Sequence, residues 1–203
     1  MSENERTSLP LIADLLSNPT NNAPALAQTL AILFEPTPVL YSHLLPQLVT
    51  YLNAFRITTY SELIDASVSI IQSWDCGLQA QFIAGHPRIG EVGGLSKLSA
   101  AEQATKATSP AVLARLAHLN ACYEHVYPGL RYITFVNGRT RAEVLEEMEA
   151  ALGLRHSLLP DQPPIAELQV VSTDSNEWVS EMQRAVVDVG RIAKSRASSL
   201  GGQ

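Results

Sequence analysis

The stretch that decides how this chain is interpreted is Gly85-His86-Pro87-Arg88-Ile89-Gly90, followed from Ser99 by Ser-Ala-Ala-Glu-Gln. Four glycines fall within the ten residues from Gly85 to Gly94, a density that indicates irregular backbone and close approach of another group. Pro87 disfavours helical dihedrals at His86, so the imidazole is predicted to lie at a helix end or in a loop. The two segments together place a histidine, an arginine, a carboxylate and a primary amide around one glycine-rich loop.

The residues on both sides of this loop have helical patterns. Helix starts are predicted where side chains can cap backbone N–H groups: Thr59 with Glu62, Ser109 before Pro110, and Thr140 with Glu143. Pro46 should kink or split a helix, and Gly77 should interrupt the chain before a short helix at 78–84. Residues 132–136 are the one convincing extended run. The prediction is an all-α, single-domain bundle of about eight helices over residues 1–203, with 1–8 and 199–203 frayed.

Composition limits the kind of partner that the chain can have. It has 203 residues, 46% of them hydrophobic and 17% charged, with a net charge of −6, which is typical of a globular protein. Lysines and arginines are scattered, so nucleic-acid and anionic-membrane surfaces are disfavoured. A bound anion would therefore need one or two arginines in a pocket.

No segment of the sequence indicates export or membrane insertion. No apolar run approaches the roughly 20 residues that span a bilayer, and the first residues have no secretory pattern. We therefore expect a cytoplasmic protein; a peroxisomal location in a eukaryote stays open, although the C-terminus is not a Ser-Lys-Leu address.

Several kinds of site are disfavoured by missing patterns. Cys76 and Cys122 have no metal-ligand spacing and are expected to be thiols in a reducing compartment. The sequence has no GxSxG, GxGxxG, Walker or HExxH motif. What remains is acid–base chemistry with polar binding, without a metal or redox cofactor.

The candidate polar residues allow more than one interpretation. Ser99 and Glu102 fit a capping box, but a helix N-terminus facing a glycine-rich loop also favours anions, and both can hold at once. Gln103 offers one donor and one acceptor, which complement a lactam or urea edge. Arg139 is either a solvent-exposed arginine at a helix start or a ligand for an anion. Asn120 and Tyr123 could line a pocket, although packing in the core is favoured.

An ordered set of motifs resembles a known family. The motifs are Gly85 to Gly90, Ser99-x-x-Glu102-Gln103, Leu119-Asn120-x-x-Tyr123, and Gly138-Arg139-Thr140 before Glu143-Val144-Leu145. They resemble 2-oxo-4-hydroxy-4-carboxy-5-ureidoimidazoline (OHCU) decarboxylase, the enzyme that completes conversion of urate to (S)-allantoin. The resemblance implies an all-α homodimer without a cofactor.

The resemblance also implies roles for individual residues. His86 would be the catalytic acid/base, with Glu102 beside it in the catalytic group. Ser99, Gln103 and an arginine, for which Arg139 is the candidate, would bind the substrate, and Pro87 would shape the pocket wall. The expected reaction is loss of the 4-carboxylate, followed by protonation on one face. Imidazole suits this work because its reference pKa is near 6.5.

Three segments depart from the family pattern. Ala104-Thr105 replaces a small Ala-Gly pair, Tyr127-Pro128-Gly129-Leu130 replaces Phe-Gly-Phe, and a Pro-containing loop replaces the Arg-Leu-x-Asn after residue 152. The first two bear on the pocket and the third on the dimer surface. They would also fit the alternative function, a non-catalytic helical binding or scaffold protein of the same fold. A metal hydrolase using His86 and Glu102 is least favoured, because no second histidine lies nearby in sequence.

Overall fold

A computed structural model describes residues 8–91, 108–173 and 175–202. Within these residues there are eight α-helices: α1 Ile12–Leu16, α2 Ala23–Phe34, α3 Leu45–Ala54, α4 Tyr60–Gln72, α5 Cys76–Ala84, α6 Pro110–Val126, α7 Arg141–Ala151 and α8 Asn176–Ser199. A π-helical turn, Leu40–Leu44, precedes α3, and a 3-10 turn, Ile165–Glu167, lies between α7 and α8. The described part of the chain contains no strand, and residues 132–136 are not helical. The all-α prediction is confirmed.

The predicted helix starts are present. Reciprocal capping boxes join Thr59 to Glu62 at α4 and Thr140 to Glu143 at α7. At α6 the Ser109 side chain accepts a hydrogen bond from the N–H of Val112. These side chains satisfy backbone donors that have no partner within the helix, which is why local sequence is enough to locate the three helix starts.

The proline and glycine predictions had different outcomes. Pro46 lies in the first turn of α3, and the helix before it widens into the π-helical turn rather than splitting, with helical dihedrals at Leu44 and Leu45. The predicted interruption at Gly77 is wrong, because α5 begins at Cys76 and includes it. Gly77 is the second residue of the helix, where its N–H needs no intrahelical acceptor.

The chain divides into two compact units. The first comprises the described residues of Met1–Asp75 and Val189–Gln203. Its core is formed by buried apolar side chains of α2, the π-helical turn, α3 and α4, which include Leu26, Leu30, Phe34, Leu44, Leu48, Leu63 and Ile64. The guanidinium of Arg196 is buried in this unit and pairs with Glu35 at 2.7 Å, so this buried charge has a partner.

The end of α8 is also ordered in the first unit. The N–H of Gly202 donates to Ala197 O at 2.8 Å, and Gly201 has φ of 76°. This pattern satisfies a carbonyl of the last helical turn, in a stretch expected from the sequence to fray.

The second unit is Cys76–Asp188. Its core includes the buried side chains of Phe82, Ile83, Leu116, Leu119, Val144, Leu145, Met148, Met182 and Val186. Helix α6 packs against α7, and there Arg115, 1% exposed, donates to Glu149 Oε1 at 2.7 and 2.9 Å. Arg115 also donates to Leu159 O at 3.1 Å, so the same side chain holds the loop that follows α7. The prediction of one domain over residues 1–203 stays a prediction.

None of the described helices is both long enough and apolar enough to span a lipid bilayer.

Candidate active site

His86 lies just beyond the C-terminal end of α5. The N–H groups of Gly85 and His86 donate to Phe82 O and Ile83 O at 3.2 and 3.0 Å, which closes the last turn. Pro87 then directs the chain away from the helix, as the sequence predicts. The imidazole is therefore attached to a rigid element rather than to a free loop.

The environment of the His86 ring selects its tautomer. The side chain is 4% exposed and contacts the edge of the Phe82 ring, with centroids 5.3 Å apart. Its Nδ1 lies 3.2 Å from Phe82 O. Because a carbonyl oxygen only accepts, Nδ1 must carry the proton, and in the neutral ring Nε2 then holds the lone pair. This arrangement leaves Nε2 as the basic nitrogen, which a general base requires.

Two polar contacts fix the following loop to α6. Arg88 donates through Nε and Nη2 to the two carboxylate oxygens of Glu124, at 2.6 and 2.9 Å. The pKa of the Arg88 guanidinium is raised chiefly by this hydrogen bonding to Glu124. The amide of Asn120 donates to Ile89 O at 2.9 Å and to Leu116 O at 2.8 Å. Arg88 thus serves to hold the loop, and its charge is paired.

Gly90 permits the closest approach of the loop to α6. Its φ is +84°, a left-handed conformation that side chains rarely adopt. A Cβ there would lie 3.1 Å from Leu116 Cδ1 and 3.2 Å from Leu116 Cβ. The sequence indicated close approach in this loop, and the group approached is the surface of α6.

Asn120 and Tyr123 belong to the core, as favoured from the sequence. Tyr123 is buried, and its hydroxyl donates to Glu181 at 2.6 Å. Burial, with Glu181 as a smaller cause, raises the pKa of Tyr123 above its usual range. Both residues therefore have satisfied polar tips in the interior.

Arg131 is a residue of this region that the sequence did not single out. Its Nη1 donates to the main-chain carbonyl of His86 at 2.5 Å, and its side chain is half-buried. Among the described residues, no carboxylate lies within ion-pair distance of its guanidinium. The sequence feature that could have identified Arg131 is its position directly before the apolar run from Tyr132 to Val136.

Arg139, the predicted substrate arginine, is engaged with its own segment. It pairs with Glu147, and its Nε and Nη2 donate to Val136 O and Thr134 Oγ1, both at 3.0 Å. Glu147 Oε1 also accepts from Tyr132 at 2.6 Å and from Thr134 at 2.8 Å. A substrate carboxylate at Arg139 would have to compete with Glu147, whereas Arg131 has no such competitor in the part of the chain described.

The remaining predicted site residues are Ser99, Glu102 and Gln103, which lie outside the described residues. Their capping and binding interpretations both stay predictions. Within the described ranges, no three or more histidine, cysteine, aspartate or glutamate side chains are grouped so as to hold a metal ion.

Comparisons with known proteins bear on the family. A model of the OHCU decarboxylase family matches residues 19–157, which is more than half of the chain. No curated protein matches the sequence. A crystal structure of OHCU decarboxylase in the presence of (S)-allantoin is similar over 76% of this chain and 91% of its own, with 18% identity and a TM-score of 0.49. At those values the likeness supports no inference about function, so the family assignment rests on the match to the family model.

Proposed function

The chain belongs to the OHCU decarboxylase family of carboxy-lyases, and we propose that it converts OHCU to (S)-allantoin and CO₂ with His86 as the acid/base. The family match over residues 19–157 contains the whole loop around His86 and both helices that frame it. The proposal extends the family assignment to one substrate, one product enantiomer and one catalytic side chain.

The reaction can be written without a cofactor. The bond between ring carbon 4 and its carboxylate breaks, CO₂ leaves, and the electron pair forms a double bond to carbon 5, while the former C=N pair moves to nitrogen, which takes a proton. The 4-hydroxyl then gives up its proton to become a carbonyl, and carbon 5 takes a proton on one face. The protein must hold the substrate, stabilise negative charge in the ring and control that last proton transfer.

The observation that carries the role of His86 is the 3.2 Å contact between its Nδ1 and Phe82 O. A carbonyl partner keeps the proton on Nδ1, so Nε2 can take the 4-hydroxyl proton and return it to carbon 5. The position of the ring at the C-terminus of α5 also favours the imidazolium that forms between these two transfers. One side chain can thereby serve as base and then as acid.

Other residues keep the roles that the family resemblance implies. Pro87 shapes the wall beside His86, and Glu102 assists catalysis by binding ring or ureido N–H groups. Gln103 binds the lactam edge, and Ser99 is a further substrate-binding residue. Arg139 remains a candidate for the substrate arginine if it gives up a contact to Glu147. The homodimer and the cytoplasmic location stay predictions, the first of which light scattering of the purified chain would test.

The test generates OHCU from urate in situ and follows CO₂ release together with the circular dichroism of the allantoin formed. We expect wild-type protein to accelerate the loss of CO₂ and to give one enantiomer. His86→Gln should lose both effects while keeping its helical content, because glutamine can donate to Phe82 O but cannot exchange a proton at neutral pH.

A matched histidine substitution separates catalysis from general perturbation. His43→Gln removes an exposed imidazole whose Nδ1 lies 2.7 Å from the hydroxyl of Ser42. It should have wild-type activity and stereoselectivity. Racemic allantoin at the background rate from wild-type protein would contradict the proposed function, and would favour a non-catalytic binding protein of the same fold.

A further inference from the structure

We infer that Arg131 binds the carboxylate group that the substrate loses, next to His86. The inference rests on the proposed function and makes it more specific, because it assigns the substrate anion to one guanidinium. It begins from a contact within one compact unit: Arg131 Nη1 donates to the His86 carbonyl at 2.5 Å. The guanidinium is thus hydrogen-bonded to the main chain of the residue that carries the imidazole.

Arg131 differs from four other arginines of this unit in its partner, because each of those four pairs with a carboxylate. Arg88, Arg115, Arg139 and Arg184 all form ion pairs, with Glu124, Glu149, Glu147, and Glu181 and Asp188 respectively. Arg131 instead binds a neutral carbonyl, and in the described ranges no acid lies within ion-pair distance of it.

A half-buried guanidinium whose partner among the described residues is a neutral carbonyl favours an anionic ligand. It has five N–H donors, of which one donates to the His86 carbonyl, so a pair of the others can donate to the two oxygens of a carboxylate. Partial burial removes some of the hydration that would otherwise compete with a bound anion. The net charge of the chain is −6, so local positive charge of this kind is needed to attract an anionic substrate at all.

The position beside His86 favours the carboxylate over the other polar groups of the substrate. In the proposed reaction His86 exchanges protons at the 4-hydroxyl and carbon 5, and the carboxylate is attached to carbon 4. In this inference the guanidinium held at the His86 main chain binds the carboxylate while the imidazole acts on the carbon next to it. The remote carbonyl and the terminal amide of the ureido group lie farther from those carbons.

This role predicts a particular kinetic effect. The carboxylate loses its charge as CO₂ departs, so a contact to it is stronger in the ground state than in the transition state. Loss of the contact should raise KM and leave kcat unchanged or higher. The neutral product allantoin has no carboxylate, so its inhibition constant should not change when Arg131 is replaced.

The experiment compares Arg131→Gln with wild type and with Arg155→Gln, which removes an exposed arginine of the same unit. KM for OHCU, kcat, and the inhibition constant for (S)-allantoin are measured for each. We expect KM to rise by about tenfold to a hundredfold in Arg131→Gln, the effect of losing a hydrogen bond between charged groups. The kcat should equal or exceed that of wild type and the allantoin constant should match it, whereas Arg155→Gln should match wild type in all three.

A lysine variant supports the test if the glutamine variant does not fold. Arg131→Lys keeps one charge and a donor for the His86 carbonyl but loses the paired donors. It should raise KM less than Arg131→Gln and leave the allantoin constant unchanged.

Other outcomes overturn the inference in identifiable ways. A fall in kcat with unchanged KM would mean that Arg131 only positions His86, and a parallel rise in KM and in the allantoin constant would place it on a group that the product retains. An active wild type with unaltered kinetics in both Arg131 variants would contradict the inference alone. A wild type without activity on OHCU would contradict the proposed function and this inference with it.

Discussion

Removal of the Asn120 amide should loosen the loop after His86, because it deletes one of the two polar contacts that fix this loop to α6. The side chain is 4% exposed, and it is the described hydrogen-bond donor to Ile89 O, at 2.9 Å. Its second acceptor, Leu116 O, lies one helical turn earlier and is already an acceptor in the helix ladder, so its loss matters less. A net hydrogen bond contributes about 1 kcal/mol, and a buried carbonyl left unsatisfied costs about 1 to 3 kcal/mol. Because the contact to Ile89 O is only part-buried, Asn120→Ala should lower the free energy of unfolding by about 1 to 2 kcal/mol.

Two measurements test this prediction. Urea denaturation gives the free energy of unfolding, and turnover of OHCU generated in situ gives kcat. The activity should fall by about a hundredfold, which is a typical cost of moving a catalytic group by about 1 Å. Hydrogen exchange at the amides of Gly90 and Glu91 should accelerate, because local opening of the loop becomes cheaper.

The chain offers a matched asparagine as a control. Asn53 is exposed, and its amide donates to Thr20 Oγ1 at 3.3 Å. Asn53→Ala should change stability by less than about 0.5 kcal/mol and leave kcat unchanged. If Asn120→Ala were indistinguishable from Asn53→Ala in both measurements, the Asn120 contact would not position His86 and the reasoning would be refuted.

Two further predictions concern buried polar groups of the same unit. Arg115→Met should lower the unfolding free energy by about 3 to 5 kcal/mol because it leaves the Glu149 carboxylate buried without its cation, and the double variant with Glu149→Leu should lose much less in the same denaturation assay. Burial raises the pKa of Tyr132 to about 12, above the unfolded value near 10. The stability that the protonated Tyr132 contributes is complete below pH 10, and up to about 3 kcal/mol of it is lost as the pH rises to about 12. Denaturation at several alkaline pH values should show a shallower decline for Tyr132→Phe.

The fold was predictable where the signals are local. A capping box involves residues three apart, so Thr59 with Glu62 and Thr140 with Glu143 locate helix starts without knowledge of the tertiary structure. The π-helical turn before Pro46 was only half predictable. The proline ring clashes with the carbonyl four residues earlier in a regular α-helix, so the helix must change its geometry there. The sequence does not specify whether a kink, a break or a wider turn relieves the clash.

The candidate site was predictable for His86 and not for the charges around it. Pro87 sets the backbone of its neighbour, a constraint that acts over one residue. The pairing of Arg88 with Glu124 and the reach of Arg131 to His86 join residues 36 and 45 positions apart. Such contacts depend on how α6 is rotated and on where the segment after it returns. The sequence therefore offered Arg139 as the substrate arginine, without indicating that Glu147 pairs with it or that Arg131 reaches the main chain of His86.

The rotation of α6 could have narrowed that choice. Leu116, Asn120 and Glu124 are spaced by four residues, so one ridge of the helix faces the loop, and it contacts Gly90, Ile89 and Arg88 in the reverse order. The sequence favoured a core position for Asn120, which together with the buried Leu116 defines a stripe along this side of α6. Extending the stripe by one turn reaches Glu124, an acid on the loop-facing ridge, which would have paired one of the nearby arginines. Arg88 is the arginine that Glu124 pairs with, because the neighbouring Ile89 is hydrogen-bonded to the same ridge through Asn120. A substrate arginine is therefore expected in the segment that follows α6.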